Sequence, residues 1–332
     1  MSPQFVDFDA DGRLDIVVGT YDGSVHWSRG SAAGWSEPVH VLDLAGEPLL
    51  ISAFWNETSK KWDDTNRCAP PGWQGPGHLT SAVAFDWDGD GDLDLLLGDH
   101  KRGHVLLRCN EGSAKEPRFA VRNEVVHADG APLVVPGTVA TLRLVDWNGD
   151  GLLDLAIGTM GDALGEGPGG AVLVHPNVGS RTATRYGAAL TLVPTSQKGW
   201  SAPVRPDSGL YMDFADADGD GDLDLVVGGY SHWRPVAPAL DEAQRARVEV
   251  LRRELEVLEQ QERQLREELS AAVAGIEDQE LLSKKYSELY KAQSAQREAL
   301  DQQQEPLQSE LEKLAPGARR APFVWFYENV AR

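Results

Sequence analysis

DWDGDGDLDLLLG, Asp86 to Gly98, carries oxygen side chains at its first, third, fifth and ninth positions and ends in an apolar run closed by glycine. The pattern recurs as DFDADGRLDIVVG (Asp7 to Gly19), DWNGDGLLDLAIG (Asp146 to Gly158) and DADGDGDLDLVVG (Asp216 to Gly228). The candidate ligands are therefore Asp7, Asp9, Asp11 and Asp15; Asp86, Asp88, Asp90 and Asp94; Asp146, Asn148, Asp150 and Asp154; and Asp216, Asp218, Asp220 and Asp224. Carboxylates spaced this closely repel one another unless a cation neutralises them. Calcium fits, because it takes six to eight hard oxygens at about 2.3 to 2.6 Å in irregular geometry, whereas magnesium demands a tight octahedron. Glycine at the sixth position (Gly12, Gly91, Gly151, Gly221) permits the positive φ that wraps the chain round an ion. The seventh position then donates a backbone carbonyl, so Arg13, Asp92, Leu152 and Asp222 need share no side-chain chemistry. Up to four calcium ions are expected.

An EF-hand opens with the same D-x-D-x-D-G but needs a bidentate Glu at position twelve and a helix on each side. Position twelve here is Val18, Leu97, Ile157 or Val227, inside a short apolar run that reads as a buried strand. The loop joins two strands. Each copy has the same surroundings: an apolar lead-in (Phe5–Val6, Ala82–Phe85, Leu142–Val145, Tyr211–Ala215), then the loop and second strand, and then a third strand in GSVHWSRG, GHVLLRCN and GGAVLVHPN. A fourth strand is expected in WSEPVHVL, PRFAVRNEV and TRYGAALTLV, and DLAGEPLLI and HADGAPLVV form matching outer hairpins.

On these residues the chain resembles FG-GAP or VCBS repeat proteins, the calcium-loop blades of integrin-α-type β-propellers, over most of its length outside residues 238–320. The resemblance implies an all-β propeller of about four four-stranded blades, with repeats near residues 3–51, 79–135, 137–195, and 208–237 plus 319–332. It implies no single function, since such propellers serve adhesion, scaffolding and sometimes catalysis.

Residues 238–318 interrupt the fourth blade. Their composition shifts to Glu, Gln, Arg, Leu and Ala, with heptad-spaced apolar positions at Val248, Leu251, Leu255, Leu258, Leu265 and Leu269, then Leu282, Tyr286, Leu289, Leu300, Leu307, Leu311 and Leu314. A break at Gly275 to Asp278 leaves two arms of about 35 residues, each about 50 Å long, which predicts an inserted antiparallel coiled-coil hairpin. Gln293, Gln296 and Gln303 fall on the seam of the second arm, and Pro306 is expected to kink it. The chain then returns as APFVWFYENV, the third strand of blade four, so the propeller comprises residues 1–237 and 319–332. Residues 52–78, with Trp55, Trp62 and Trp73, form an irregular insertion loop that either lids a ligand or packs its tryptophans over a blade edge.

The formal charge of −21 includes 17 acidic side chains inside the four loops, and four calcium ions would offset eight negative charges. The remaining excess argues against nucleic acid and anionic membrane as partners. No apolar run approaches a membrane span. Cys68 and Cys109 lack zinc spacing and can pair if the compartment is oxidising. Loops of this kind suit compartments where calcium is near millimolar, so an extracytoplasmic setting is expected: secreted, periplasmic or cell-surface. No charged and apolar leader precedes the first loop, and the short approach from Met1 to Asp7 suggests a mature or truncated form.

No nucleophile-elbow, zinc-protease or phosphate-loop motif occurs, and the nearest histidine pair, His100 and His104 beside Asp99, lies in an expected turn. Two functional classes follow. One is a non-catalytic interaction, adhesion or scaffold module, presenting loops to a protein or glycan and using the helical arm for partner binding or self-association. The alternative is a carbohydrate-active hydrolase or lyase with a site on the propeller face.

Overall fold

The run Leu95–Leu97 is continuously apolar because its strand is buried on both faces. Leu95 and Leu97 join one core with Phe8, Val17, Val25, Trp27 and Phe119, while Leu96 joins another with Val105, Leu142, Leu155 and Ile157. Alternate side chains point to opposite faces of a strand, so three consecutive leucines feed two cores. This is the arrangement in a computed structural model of the chain. The structure describes residues 3–52, 54–56, 60–63, 67–73, 77–161, 168–196, 202–203, 205–276 and 278–330.

Two compact units are present, Met1–Trp233 with Arg320–Arg332, and Arg234–Arg319. The first is mostly antiparallel β-sheet. Its first sheet pairs Gln4–Val6, Asp15–Gly19, Val25–Ser28 and Val39–His40 in that order. The second pairs Leu79–Phe85, Asp94–Asp99, Val105–Arg108 and Glu124–Val125, and the third pairs Thr141–Val145, Asp154–Gly158, Val172–His175 and Leu190–Val193. The fourth contains Ser208–Ala215, Asp224–Trp233 and Arg319–Tyr327. It has three strands among the described residues, where four per sheet were expected. Residues 234–319 enter and leave between its second and third strands.

Successive sheets share a core: one between sheets one and two, one between two and three, and one between three and four, the last built from Val145, Val172, Val174, Leu210, Met212, Leu225 and Val227. Their first strands are also stitched by side chains. Gln4 exchanges two hydrogen bonds with the Ala84 backbone, Ser81 Oγ accepts from Leu142 N at 2.9 Å, and Thr141 Oγ1 donates to Leu210 O at 2.8 Å. In sheets one and three the glycine that ends the second strand makes room for this approach. A Cβ on Gly158 would lie 2.1 Å from Leu210 O, and one on Gly19 would press on Leu79 and Ser81.

The insertion at residues 52–78 contains a small ribbon, Phe54–Asn56 against Lys61–Asp63. Trp73 packs against the first core and lies beside His104 and under the Arg102 guanidinium, so this tryptophan covers the sheets. The side chain of Trp62 lies outside the described residues. Beneath the insertion is the fully buried Arg108. It donates to Asn123 Oδ1, Ala120 O and Leu50 O, and Asn123 Nδ2 donates in turn to Leu50 O, Ile51 O and Cys68 O. A buried guanidinium needs this many acceptors to offset its lost hydration. Cys68 and Cys109 are both free thiols here rather than a disulfide.

In the second unit, helix α1 (Glu242–Val273) starts with an Asp241 capping box and buries Val248, Leu251, Leu255, Leu258 and Leu269. It is followed by α2 (Gln279–Ala292) and α3 (Ser294–Leu314). The Arg247 guanidinium binds Glu310 through two bonds of 2.8 and 2.7 Å, and Gln293 Nε2 donates to Leu265 O at 3.1 Å, so the two helical runs lie antiparallel. Gln293, between α2 and α3, keeps helical backbone bonds to Leu289 O and from Arg297 N while its side chain reaches α1, and α3 includes Pro306. Gln296 and Gln303 line the solvent-facing groove between α1 and α3 beside Leu265 and Leu300, whereas Tyr286 is exposed. No helix of the described residues is long and apolar enough to cross a membrane.

Candidate metal centre

In all four loops the ninth-position aspartate is a buried staple, 2% exposed or less. One oxygen accepts from the second loop residue and the other from the end of the third strand. Asp15 takes Phe8 N (3.0 Å) and Gly30 N (2.6 Å); Asp94 takes Trp87 N (2.9 Å) and Asn110 N (2.7 Å). Asp154 takes Trp147 N (3.2 Å) and Asn177 N (2.7 Å); Asp224 takes Ala217 N (3.0 Å) and Asn329 N (2.9 Å). The loop is thereby tied to the third strand. Burial pushes the Asp94 carboxyl up to about 6 against these two stabilising bonds, and raises Asp154 for the same reason.

The other carboxylates wind the loop through backbone hydrogen bonds. Each first-position aspartate accepts from the sixth-position glycine: Asp7 from Gly12, Asp86 from Gly91, Asp146 from Gly151 and Asp216 from Gly221. Each fifth-position aspartate accepts from the seventh backbone N–H. The sixth-position glycines have φ of 83° to 98°, and the fourth position is also left-handed: Gly89, Gly149 and Gly219, but Ala10 at φ 51°. An L-residue there is strained, so Ala10→Gly is expected to raise stability by about 0.5 to 1 kcal/mol in chemical denaturation.

Oxygens of Asp7, Asp9 and Asp15 lie within 4.8 Å of one another, as do those of Asp86, Asp88 and Asp90, and those of Asp216, Asp218 and Asp224. The third loop forms no such group among the described residues. There Asn148 Nδ2 donates to Asp150 Oδ2 at 2.9 Å, placing an amide where the other loops have a carboxylate. Each loop nevertheless leaves one solvent-shielded carboxylate oxygen without a hydrogen-bond partner: Asp9 Oδ1, Asp92 Oδ1, Asp146 Oδ1 and Asp222 Oδ1. A shielded oxygen of this kind is costly unless a ligand takes it. Burial first, then the neighbouring carboxylates, raise the pKa of Asp9, Asp92 and Asp222. At the seventh position only a backbone carbonyl was expected to matter. Asp92 and Asp222 also carry a shielded side-chain oxygen there, and the Asn110 side chain acts on Asp92 as a hydrogen-bonding neighbour that opposes its rise.

The histidines beside the second sheet do other work. Both oxygens of Asp99 are spent on Lys101 N and Arg102 N, His100 meets Tyr21 and His78 ring to ring, and His104 lies against Trp73. Sequence patterning missed the staple's partners, because Gly30, Asn110, Asn177 and Asn329 act through backbone N–H groups. The asparagine that follows three of the third strands was their one visible trace.

No family model matches the chain, and the searches of curated proteins and of solved structures return no match.

Proposed function

We propose that the chain is a calcium-stabilised β-propeller of FG-GAP or VCBS type that serves as an interaction module rather than as an enzyme. The observation that carries this reading is the shielded, unpartnered carboxylate oxygen in every loop, set among carboxylates already converged by backbone hydrogen bonds. Asp7, Asp9, Asp15, Asp86, Asp88, Asp90, Asp216, Asp218 and Asp224 would hold the ions most directly, and the third loop more weakly through Asp146 and Asp150. The ions would neutralise the carboxylates and fix the turns between first and second strands. The shared cores and stitched first strands support the blade reading, since each sheet meets the next in the same way.

Terbium provides the test, because it replaces calcium in oxygen sites and is excited by a nearby indole. Trp87 and Trp147 occupy the second position of loops two and three. Indole-sensitised terbium emission is expected, displaced by calcium at far lower concentration than by magnesium. Absent emission, or equal displacement by both ions, would overturn the proposal.

The helical unit is the partner or self-association surface in this reading. Val250 and Val257, 41% and 52% exposed, lie two turns apart on α1, and Tyr286 and Tyr290 stack on α2. Sedimentation of the full chain over a concentration series is expected to show association that Val250→Lys with Val257→Lys reduces. A concentration-independent monomer would contradict it.

A further inference from the structure

The second and third sheets are clasped by a turn after the third strand, NVGSRTATRY from Asn177 to Tyr186, and the first and second sheets by its counterpart NEGSAKEPRF from Asn110 to Phe119. Both turns are held alike. Asn177 Oδ1 accepts from Gly179 N and Arg185 N, and Asn110 Oδ1 from Gly112 N and Arg118 N. Each returns to the preceding sheet's outer hairpin, Tyr186 O accepting from Asp129 N and Phe119 O from Leu44 N. At the second clasp the turn seats tightly on its neighbour's loop. Thr184 Oγ1 donates to Trp87 O at 2.8 Å, and Thr182 lies so close that a Cβ on Gly89 would come within 2.5 Å of it.

The first clasp cannot close this way. Its counterparts of Thr182 and Thr184 are Lys115 and Pro117, and the counterpart of Gly89 is Ala10, so the hydroxyl donor is gone and a methyl occupies the approach. A cavity of about 430 Å³ remains between the first sheet and this turn. Its apolar side is formed by the buried Phe8, Trp27 and Val41, and its polar side by Arg29, Lys115 and Arg118, with Glu116 the acidic exception. Three cations round one opening in a chain of formal charge −21 are a local reversal of the field. The Arg29 guanidinium lies 4.5 Å over the Trp27 ring and 3.3 Å from Asp9. Lys115 and Arg118 are exposed and carry no ion pair among the described residues.

We propose that this cavity binds an acidic sugar, a ring with an apolar C–H face and a carboxylate edge. The volume lies within the range of small-ligand pockets, and a planar guanidinium grips a carboxylate through two parallel hydrogen bonds. A bowl bounded by the two-residue strand Val39–His40 and by the turn fits a compact ring better than an extended peptide, which needs a longer edge. The ring's apolar face lies toward Val41 and Phe8 and its carboxylate toward Arg118 and Lys115. The inference rests on the interaction-module reading and names the ligand class of one junction.

Titration calorimetry of the calcium-loaded full chain with galacturonate and glucuronate oligomers, their neutral hexose counterparts and an oligoglutamate peptide provides the test, with bound metal counted separately by native mass spectrometry. Uronate oligomers are expected to bind, more weakly at high salt, and the neutral sugars not. Arg118→Ala is expected to weaken binding about tenfold or more. Lys115→Thr with Pro117→Thr and Ala10→Gly, which together copy the closed clasp, is expected to abolish it with the metal count unchanged and the melting temperature not lowered. No uronate binding at full metal loading, equal binding of neutral sugars, binding of the peptide alone, or full affinity in Arg118→Ala would each overturn the proposal. A chain without bound metal would instead indict the calcium reading.

Discussion

Asp94→Ala is expected to cost about 3 to 5 kcal/mol of folding stability even in metal-free buffer, because two buried N–H groups lose a carboxylate and each such bond contributes about 1.5 to 3 kcal/mol. The groups are Trp87 N and Asn110 N, and the side chain between them is 2% exposed. Asp90→Ala removes a partly solvated oxygen that accepts only Asp92 N, so its metal-free cost is expected to stay below about 1 kcal/mol. The pair separates two roles that look identical in the sequence. Urea denaturation in chelator measures both, and equal losses would mean that the staple contributes nothing beyond an ordinary loop carboxylate.

Calcium removal should produce the larger thermal effect. An ion that binds only the native state adds about 2.7 kcal/mol at a hundredfold excess over Kd, so the three loops with converged carboxylates together add about 8 kcal/mol. For a unit of this size each kcal/mol shifts the midpoint by about 2 to 4 °C, so excess chelator is expected to lower Tm by about 15 to 30 °C. The third loop contributes least, since Asn148 brings an amide to the site. Differential scanning calorimetry with and without chelator decides it; an unchanged Tm from verified calcium-loaded protein would contradict a stabilising role.

Much of the fold was legible because it is written four times. The D-x-[DN]-x-D-G spacing and the apolar runs behind it marked the loops, the second strands and the sheet that resumes at Arg319–Tyr327. Periodicity cannot show what a backbone group does, so the staple between Asp94 and Asn110 N was hidden. Heptad spacing did locate the helical seam: of its thirteen apolar positions only Tyr286 is exposed, and the others are buried or half-buried. Arg108 gave no signal at all, since an arginine in a strand reads as a surface residue until the carbonyls of Leu50 and Ala120 are brought to it.

The most direct measurement is a count of bound ions by native mass spectrometry, on the wild type and on Asp90→Ala and Asp150→Ala. Four calcium ions are expected at millimolar calcium, the ion of the third loop leaving first on dilution, and each variant should hold one fewer. A wild type that retains none, or variants whose count equals its own, would contradict the assignment of these loops as calcium sites.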